Sequence, residues 1–302
     1  MIHSWLYDAN IVSRLAKLFY PCKAPILTSL QCPDYDPETI KSSNWNSKKI
    51  LALKLIDKIT AVLTNPYFVA CSYSTKDSYQ KHYGLRKEKA VVIYNSYDET
   101  RLKTCAEEIQ KLREEIRLAQ ESFVFLSVGR LSPQKNHENL IKAFAKLLEQ
   151  TDKRKLVLLI AGVGNLEENL KELTKGLGIE EKVLFLGRRS DIGALLEIAD
   201  VFVFPSFFEG LPIALIEAMS KGVPCVVSRI SVFEEIVEDG KSAIFVDPNS
   251  PEEIKEAMLK LYLDEKLRES LGREAFKVVT EKFGDNLIKE WIDLYSRIKC
   301  ES

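Results

Sequence analysis

Residues 201–217 read V-F-V-F-P-S-F-F-E-G-L-P-I-A-L-I-E, and the fold class follows from this segment. Its first four residues are β-branched or aromatic, which is typical of a buried strand. Pro205 and Gly210 then mark a turn, and the apolar residues beyond it recur with helical spacing. A strand, a turn and a helix in this order are the repeating unit of a parallel α/β sheet, with backbone N–H groups exposed where the helix begins.

The same alternation continues on both sides of this segment, from residue 121 to residue 250. Apolar strands are predicted at 123–128, 156–161, 183–186, 201–204, 223–228 and 243–246, with helices between them. Strands that are apolar throughout indicate a parallel sheet covered on both faces. We therefore expect a doubly wound, Rossmann-like domain that binds its ligand beyond the carboxyl ends of the strands.

The first 120 residues alternate less regularly. Helices are predicted at 5–19, 48–63 and 99–117, and strands at 26–30, 68–72 and 91–94, which are few for an open sheet. Three helices near 251–262, 264–281 and 285–298 close the chain. The pattern predicts a partial Rossmann-like domain at 1–118, a second Rossmann-like domain at 119–280, and a C-terminal helix at 281–302 that packs back on the first domain.

Composition restricts the class of protein. The chain has 302 residues, of which 46% are hydrophobic and 29% are charged, as in a globular protein of two domains. We find neither an apolar run long enough to span a membrane nor a secretory signal at the N-terminus. Six cysteines are scattered without a C-x-x-C pair, which favours a reduced, cytosolic compartment and neither a zinc site nor disulfides.

Charge is unevenly spread along the chain. Residues 1–120 carry 18 Lys and Arg against 13 Asp and Glu, whereas residues 121–302 carry 25 against 31. A basic first half favours contact with an anionic partner, such as a lipid headgroup surface or a phosphorylated acceptor. An ordinary solvated surface explains the same counts equally well, and we expect no nucleic acid partner.

Cationic side chains follow the predicted strands at the edge where a ligand is expected. Arg130 and Lys135 flank the loop after the strand at 123–128, where a guanidinium and an ammonium five residues apart can reach one diphosphate. Each of them alone is more typical of a solvated surface cation. Gly187 and Arg188 follow the strand at 183–186, where backbone groups and a guanidinium can meet a nucleotide base.

Two carboxylates lie near the start of the helix that is predicted within residues 201–217. Glu209 lies where the helix begins, and Glu217 lies one to two turns inside it. Glu217 is too far inside to bind an anion at the helix end, but an ionised carboxylate accepts hydrogen bonds from a diol such as a ribose. A solvated glutamate near a helix start is the ordinary alternative. Together with Arg130 and Lys135, the two favour a site for a nucleoside diphosphate.

These motifs resemble the donor domain of the family-4 retaining glycosyltransferases, which have the GT-B fold of two Rossmann-like domains. The matching stretches are G-R-L-S-P-Q-K-N at 129–136, F-L-G-R at 185–188 and the segment 205–224, and the resemblance extends over residues 68–298. It implies that Arg130 and Lys135 hold the diphosphate, that Glu209 contacts the donor sugar and that Glu217 binds the ribose hydroxyls. The other donor-binding positions that it implies are Gly129, Gly187, Arg188, Gly210, Leu211 and Pro212.

The resemblance reaches the start of the chain, where H-S-W-L-Y-D-A-N at 3–10 is similar to the family's H-S-W-x-Y-H-A-N. It implies that His3 is an acceptor-side histidine near the donor sugar, so that His3, Glu209, Arg130 and Lys135 form the catalytic set. Asp8 replaces a second histidine. Family members have several βα units before this histidine. We therefore expect an incomplete N-terminal domain, through truncation or because a partner chain completes it.

The resemblance implies transfer of a hexose from a UDP- or GDP-linked sugar to a glycan or lipid-linked acceptor, in cell-surface polysaccharide synthesis. We find no D-x-D at a strand end and therefore expect neither a metal nor another cofactor. The corresponding location is the cytoplasm, peripheral to the inner membrane face. The alternatives are a non-catalytic nucleotide-sugar-binding subunit that needs a partner chain, and a GT-B-fold epimerase or phosphorylase.

Overall fold

A computed structural model describes residues 1–20, 22–42, 47–151, 155–284 and 286–301. The chain is an α/β protein with two compact units. The first unit comprises Met1–Ser96, Phe208–Leu211 and Phe283–Ser302, and the second comprises Tyr97–Phe207 and Pro212–Lys282.

The first unit contains a parallel sheet with the strand order β1-β2-β3-β4. The strands are β1 (Ile2–Trp5), β2 (Ile26–Leu30), β3 (Tyr67–Ala70) and β4 (Ala90–Val92), and the helices between them are α1 (Tyr7–Phe19), α2 (Pro37–Ser42), α3 (Ser47–Thr64) and α4 (Tyr73–Ser78). Because β1, β2 and β3 are neighbours in chain order, right-handed crossovers put α1 and α3 on the same face of the sheet. The two helices pack against each other there.

The second unit contains six parallel strands in the order β10-β9-β8-β5-β6-β7. They are β5 (Phe123–Val128), β6 (Leu156–Ala161), β7 (Val183–Phe185), β8 (Val201–Phe204), β9 (Cys225–Ser228) and β10 (Ile244–Val246). The helices are α5 (Ala106–Glu115), α6 (His137–Gln150), α7 (Glu167–Gly176), α8 (Ile192–Glu197), α9 (Ile213–Ser220), α10 (Ser231–Ile236), α11 (Pro251–Leu263) and α12 (Glu265–Lys282). The strand order reverses between β5 and β8, so the carboxyl ends of these two strands mark the expected ligand position.

The core of the second unit follows from the apolar strands. Phe125 in β5 and Val201 in β8 are fully buried and pack with Phe144 of α6 and Met258 of α11. On β8, Phe202 and Phe204 stack with ring centroids 5.6 Å apart. Apolar side chains on successive residues of a strand require helices on both faces of the sheet, as the doubly wound fold provides.

The last helix, α13 (Asn286–Cys300), belongs to the first unit. Its Leu294 and Ile298 pack against Leu27, Val69 and Ile93 of that unit. Within the described ranges, none of the helices combines the length and the apolar character that crossing a bilayer requires.

Two predicted helices differ from the structure. The helix predicted at 5–19 begins at Tyr7, because residues 2–5 form a fourth strand that pairs with β2 from Ile2 opposite Ile26 onwards. The helix predicted at 99–117 is interrupted: a 3-10 turn ends at Leu102, and α5 begins only at Ala106. The backbone N–H of Cys105 donates to the Glu108 carboxylate at 3.1 Å, which fixes the new helix start.

The first boundary between the units lies at Ser96 and Tyr97, whereas the sequence pattern predicts a boundary at 118 and 119. The intervening segment packs on α8 of the second unit. A Cβ atom at Gly193 of α8 would lie 2.4 Å from the Leu102 carbonyl oxygen, so this close contact depends on glycine.

Candidate functional site

The loop from β5 to α6 carries Arg130 and Lys135 at the carboxyl edge of the second unit's sheet. Its path is fixed by the next strand, since the backbone N–H of Leu131 donates to the Val163 carbonyl at 3.1 Å. A Cβ atom at Gly162 would lie 1.9 Å from the Gly129 carbonyl oxygen, so only glycine permits this approach. The glycine turn at 162–164 therefore positions the loop.

Gly162 also connects this loop to the end of β7. Its backbone N–H donates to the Gly187 carbonyl at 2.8 Å. The structure thus brings two predicted site residues, Gly129 and Gly187, against the same glycine. Arg188, the next residue after Gly187, is exposed at this edge.

Lys135 reaches from the loop toward the end of β8. Its Nζ lies 4.6 Å from the centroid of the Phe204 ring, close enough for a cation–π interaction. A Cβ atom at Gly129 would lie 3.2 Å from the Lys135 Cδ, so the aliphatic part of the side chain crosses this glycine. Arg130 lies exposed on the same loop. The structure therefore places one cation over the end of β8 and the other beside the end of β5.

Asn136 ends this loop and has a structural role that the sequence alone does not predict. Its φ of 55° lies in the left-handed region, which asparagine adopts more readily than most residues. Its Nδ2 donates to the carbonyls of Pro205 at 3.0 Å and Pro248 at 2.6 Å, which attaches the loop to the chain after β8 and to the segment before α11. The feature of the sequence that could have indicated this role is an asparagine between the loop lysine and the start of α6.

His137, the first residue of α6, is a second residue near the loop that the sequence alone does not identify. It is buried, and within the described part of the chain neither ring nitrogen has a hydrogen-bond partner. Burial and the charge of Lys135 lower its pKa to about 3. His137 is therefore neutral at pH 7 and adds no positive charge to that of Arg130 and Lys135 in the loop.

Glu217 lies in the second turn of α9 and is only 5% exposed. Burial raises the pKa of its carboxyl group, the Arg101 guanidinium opposes the rise and the Asp98 carboxylate adds to it. Among the described residues, no side chain donates a hydrogen bond to this carboxylate. Pro212, also predicted for the site, directly precedes α9, and its carbonyl accepts from the backbone N–H groups of Leu215 and Ile216.

Glu209, Gly210 and Leu211 belong to the first unit. The Gly210 carbonyl accepts a hydrogen bond from Ser72 Oγ at 2.7 Å. A Cβ atom at Gly210 would lie 1.9 Å from the Gln31 carbonyl oxygen, so this contact also requires glycine. Glu209 is buried beside it. These three predicted residues are thus held together, while Arg130, Lys135, Pro212 and Glu217 lie in the second unit.

His3 lies in β1, and its ring is held in a single tautomer. The Trp5 indole N–H donates to His3 Nδ1 at 3.3 Å, and His3 Nε2 lies 2.7 Å from Ser29 Oγ. Because an indole nitrogen only donates, Nδ1 is the acceptor and Nε2 carries the proton that goes to Ser29. The Tyr295 hydroxyl, 3.0 Å from Nδ1, completes the contacts. Burial lowers the pKa of His3, so the neutral form is favoured.

A D-x-D sequence, Asp34-Tyr35-Asp36, lies in the turn between β2 and α2 and not directly at the end of the strand. Both carboxylates have partners within the first unit. Asp34 Oδ2 accepts from the Tyr79 hydroxyl at 2.6 Å, and Asp36 Oδ1 accepts from the Glu38 backbone N–H at 3.1 Å in the first turn of α2. Burial raises the pKa of Asp34 to about 6, the Tyr79 hydrogen bond opposing the rise.

This chain is similar in sequence to known proteins. The sequence profile of the family described as "Glycosyl transferases group 1" matches residues 108–278. An uncharacterised glycosyltransferase of Methanocaldococcus jannaschii is 34% identical over 232 residues, which are 75% of this chain and 59% of that protein. The UDP-Gal:alpha-D-GlcNAc-diphosphoundecaprenol alpha-1,3-galactosyltransferase of Escherichia coli is 30% identical over 258 residues, 83% of this chain and 65% of that protein. The chain therefore spans less than two thirds of the length of either relative.

A solved structure shows the same fold. The Anabaena protein HepE in complex with UDP-glucose superimposes with a TM-score of 0.85 at 22% identity, over 98% of this chain and 78% of that one. The predicted fold class, an α/β protein of the GT-B type with two Rossmann-like units, is confirmed.

Proposed function

The chain belongs to the group 1 glycosyl transferases, and on that premise we propose that it transfers a hexose from a nucleoside diphosphate sugar with retention of anomeric configuration. The acceptor is a glycan or a lipid-linked sugar in the synthesis of a cell-surface polysaccharide. The Escherichia coli relative is named for a UDP-Gal donor and a diphosphoundecaprenol acceptor, which supports the proposed donor and the proposed lipid-linked acceptor. The enzyme then works in the cytoplasm, peripheral to the inner membrane face.

The β5–α6 loop is the observation that carries the proposal. It holds two cations at the edge where the strand order reverses, with Lys135 Nζ over the ring at the end of β8. Among the described residues, no carboxylate pairs with the Arg130 guanidinium. A guanidinium binds two phosphate oxygens at once, and an ammonium adds a point charge, so together they suit a diphosphate.

The environment of Glu217 supports a ligand that carries a nucleoside in addition to the diphosphate. An ionised carboxylate buried without a hydrogen-bond donor is unfavourable, and a diol supplies two donors for its two oxygens. The ribose of a nucleoside diphosphate carries such a diol. In the proposed complex, the diphosphate lies against Arg130 and Lys135 while the ribose hydroxyls donate to Glu217.

The chemistry then depends on charge stabilisation. As the bond between sugar and diphosphate breaks, positive charge develops on the sugar ring and negative charge on the leaving diphosphate. Arg130 and Lys135 stabilise the leaving group without a metal, and groups fixed in advance contribute about 3–4 kcal/mol each in comparable sites. Glu209 orients the sugar hydroxyls, and His3 acts on the acceptor side.

Release of nucleoside diphosphate from a panel of UDP- and GDP-hexoses tests the proposal. We expect Arg130→Ala, Lys135→Ala and Glu209→Ala each to lower the rate by about 100-fold or more. Lys142→Ala on α6 and Arg273→Ala on α12 are matched controls that remove a cation outside this edge and should retain the rate. Wild-type turnover in all three site variants would refute the proposal, and nucleotide binding without turnover by the unaltered chain would favour a non-catalytic subunit.

A further inference from the structure

Asn136 lies where three segments of the chain meet at the carboxyl edge of the second unit's sheet. It is 4% exposed, and its Nδ2 donates to the Pro205 carbonyl after β8 at 3.0 Å and to the Pro248 carbonyl after β10 at 2.6 Å. A side-chain amide has two N–H donors, so both are used in these contacts. The side chain therefore connects the β5–α6 loop to the segments that leave β8 and β10.

Lys135 lies between two attachments of the loop to the segment after β8. On one side of it, the Gln134 carbonyl accepts from the Phe207 backbone N–H at 2.9 Å. On the other side, the Asn136 amide donates to the same segment. The Lys135 Nζ lies 4.6 Å from the ring centroid of Phe204, the last residue of β8. The backbone of Lys135 is thus attached on both sides to the strand end that its ammonium covers.

The backbone of Asn136 separates Lys135 from helix α6. A 3-10 turn spans Pro133–Lys135, and Asn136, with a φ of 55°, stands between this turn and the helix. Glycine adopts this left-handed conformation without strain but has no side-chain donor. Replacing Asn136 with glycine therefore removes its two hydrogen bonds and keeps the path of the backbone. The two contributions of the asparagine can be separated by experiment for this reason.

We propose that Asn136 is a positioning residue for the donor diphosphate, which acts through Lys135 and not through the nucleotide. Its two hydrogen bonds hold the loop so that the ammonium is in place over the end of β8 before the ligand arrives. A cation that is fixed in advance binds an anion more tightly than one that must be ordered on binding, because the ordering costs entropy. The inference rests on the proposed function, since it requires a diphosphate at this loop.

Asn139 provides a matched control for the hydrogen bonds of Asn136. Its Nδ2 donates to the same Pro248 carbonyl at 2.9 Å. It lies inside α6, however, and makes this contact without attaching the loop to the segment after β8. Asn139→Ala therefore removes a comparable hydrogen bond and should leave the dissociation constants of UDP and GDP unchanged.

A double-mutant cycle with Lys135→Ala tests the inference, with calorimetric titration of UDP and GDP as the measurement. A residue that acts through Lys135 loses its effect once the ammonium is absent. Asn136→Gly should raise the dissociation constant about tenfold in the unaltered chain, but less than about twofold in the Lys135→Ala background. Asn136→Ser keeps one donor and should give an intermediate constant. The same cycle with Asn136→Ser applies if thermal unfolding shows that the glycine variant is not folded.

The outcomes distinguish this inference from the proposed function. Equal effects of Asn136→Gly in the two backgrounds would overturn the inference alone, because Asn136 would then act on binding independently of Lys135. An unchanged dissociation constant in Asn136→Gly, or an equal rise in Asn139→Ala, would also overturn it. An unaltered chain that binds neither UDP nor GDP would instead overturn the proposed function, and this inference with it.

Discussion

Replacing Glu217 with glutamine should change stability and nucleotide binding in opposite directions. Glu217 is 5% exposed in α9 and, within the described residues, its carboxylate receives no hydrogen bond from a side chain. Burial raises its pKa, Arg101 opposes this rise and Asp98 adds to it. Because the folded-state pKa lies above the unfolded value, the contribution of Glu217 to stability is fully present below the unfolded pKa and is lost as the pH rises through the folded pKa.

Glutamine has no charge to bury, so Glu217→Gln should be at least as stable as the unaltered chain at pH 7. The difference should disappear at pH 4, where the glutamate is protonated. Nucleotide binding should weaken, because the amide keeps one acceptor oxygen and loses the charge. A hydrogen bond to a charged group contributes about 1.5–3 kcal/mol, so the dissociation constant of the bound nucleoside diphosphate should rise about 10- to 150-fold.

Thermal unfolding at the two pH values and calorimetric titration with UDP and GDP measure both effects. Glu168→Gln, an exposed position on α7, is the matched control and should change neither quantity. The reasoning is refuted if Glu217→Gln lowers the unfolding temperature at pH 7 and leaves the dissociation constant unchanged. That result would mean that Glu217 stabilises the fold and does not contact the bound nucleotide.

Three other substitutions test the packing that supports the two units. Arg14→Met leaves the Asp57 carboxylate buried without its cation and should cost about 3–5 kcal/mol of unfolding free energy in urea, whereas a cost below 1 kcal/mol would contradict the buried pair. Gly162→Ala places a Cβ 1.9 Å from a backbone carbonyl oxygen and should cost more than Gly178→Ala, which at φ 65° meets no neighbouring atom and should cost about 1–2 kcal/mol; equal costs would contradict the contact. Burial raises the pKa of Asp34 to about 6, so its stabilising contribution is lost as the pH rises through that value. Asp34→Asn should then reduce the loss of unfolding free energy between pH 4 and pH 8 by about 3 kcal/mol, and an unchanged pH profile would count against the shift.

The fold of the second unit could be predicted from the sequence because its strands are apolar at nearly every residue, with Ser127 in β5 and Ser228 in β9 as exceptions. No surface strand shows such a pattern, so β5, β6 and β8 were recognised within a residue of their ends. In the first unit, β1 was missed. Two of its four residues, His3 and Ser4, are polar, and its extended conformation comes from pairing with β2, which no local pattern reveals.

The candidate site also contains some residues that the sequence could predict and others that it could not. Arg130 and Lys135 could be proposed from charge at a predicted strand end, and the structure places both there. The contribution of Asn136 depends on a left-handed backbone and on two carbonyls about 70 and 110 residues away, which only the folded chain brings together. The burial of Glu217 depends on the packing of α9 against α12, β8 and β9 in the folded chain, since its sequence neighbours alone allow an exposed position as well.

A crystal structure of the chain with UDP or GDP would test the proposed donor site most directly. We expect the diphosphate between the Arg130 guanidinium and the Lys135 ammonium, with the ribose hydroxyls within hydrogen-bond distance of the Glu217 carboxylate. A diphosphate bound away from the β5–α6 loop, or a ribose without contact to Glu217, would contradict the account.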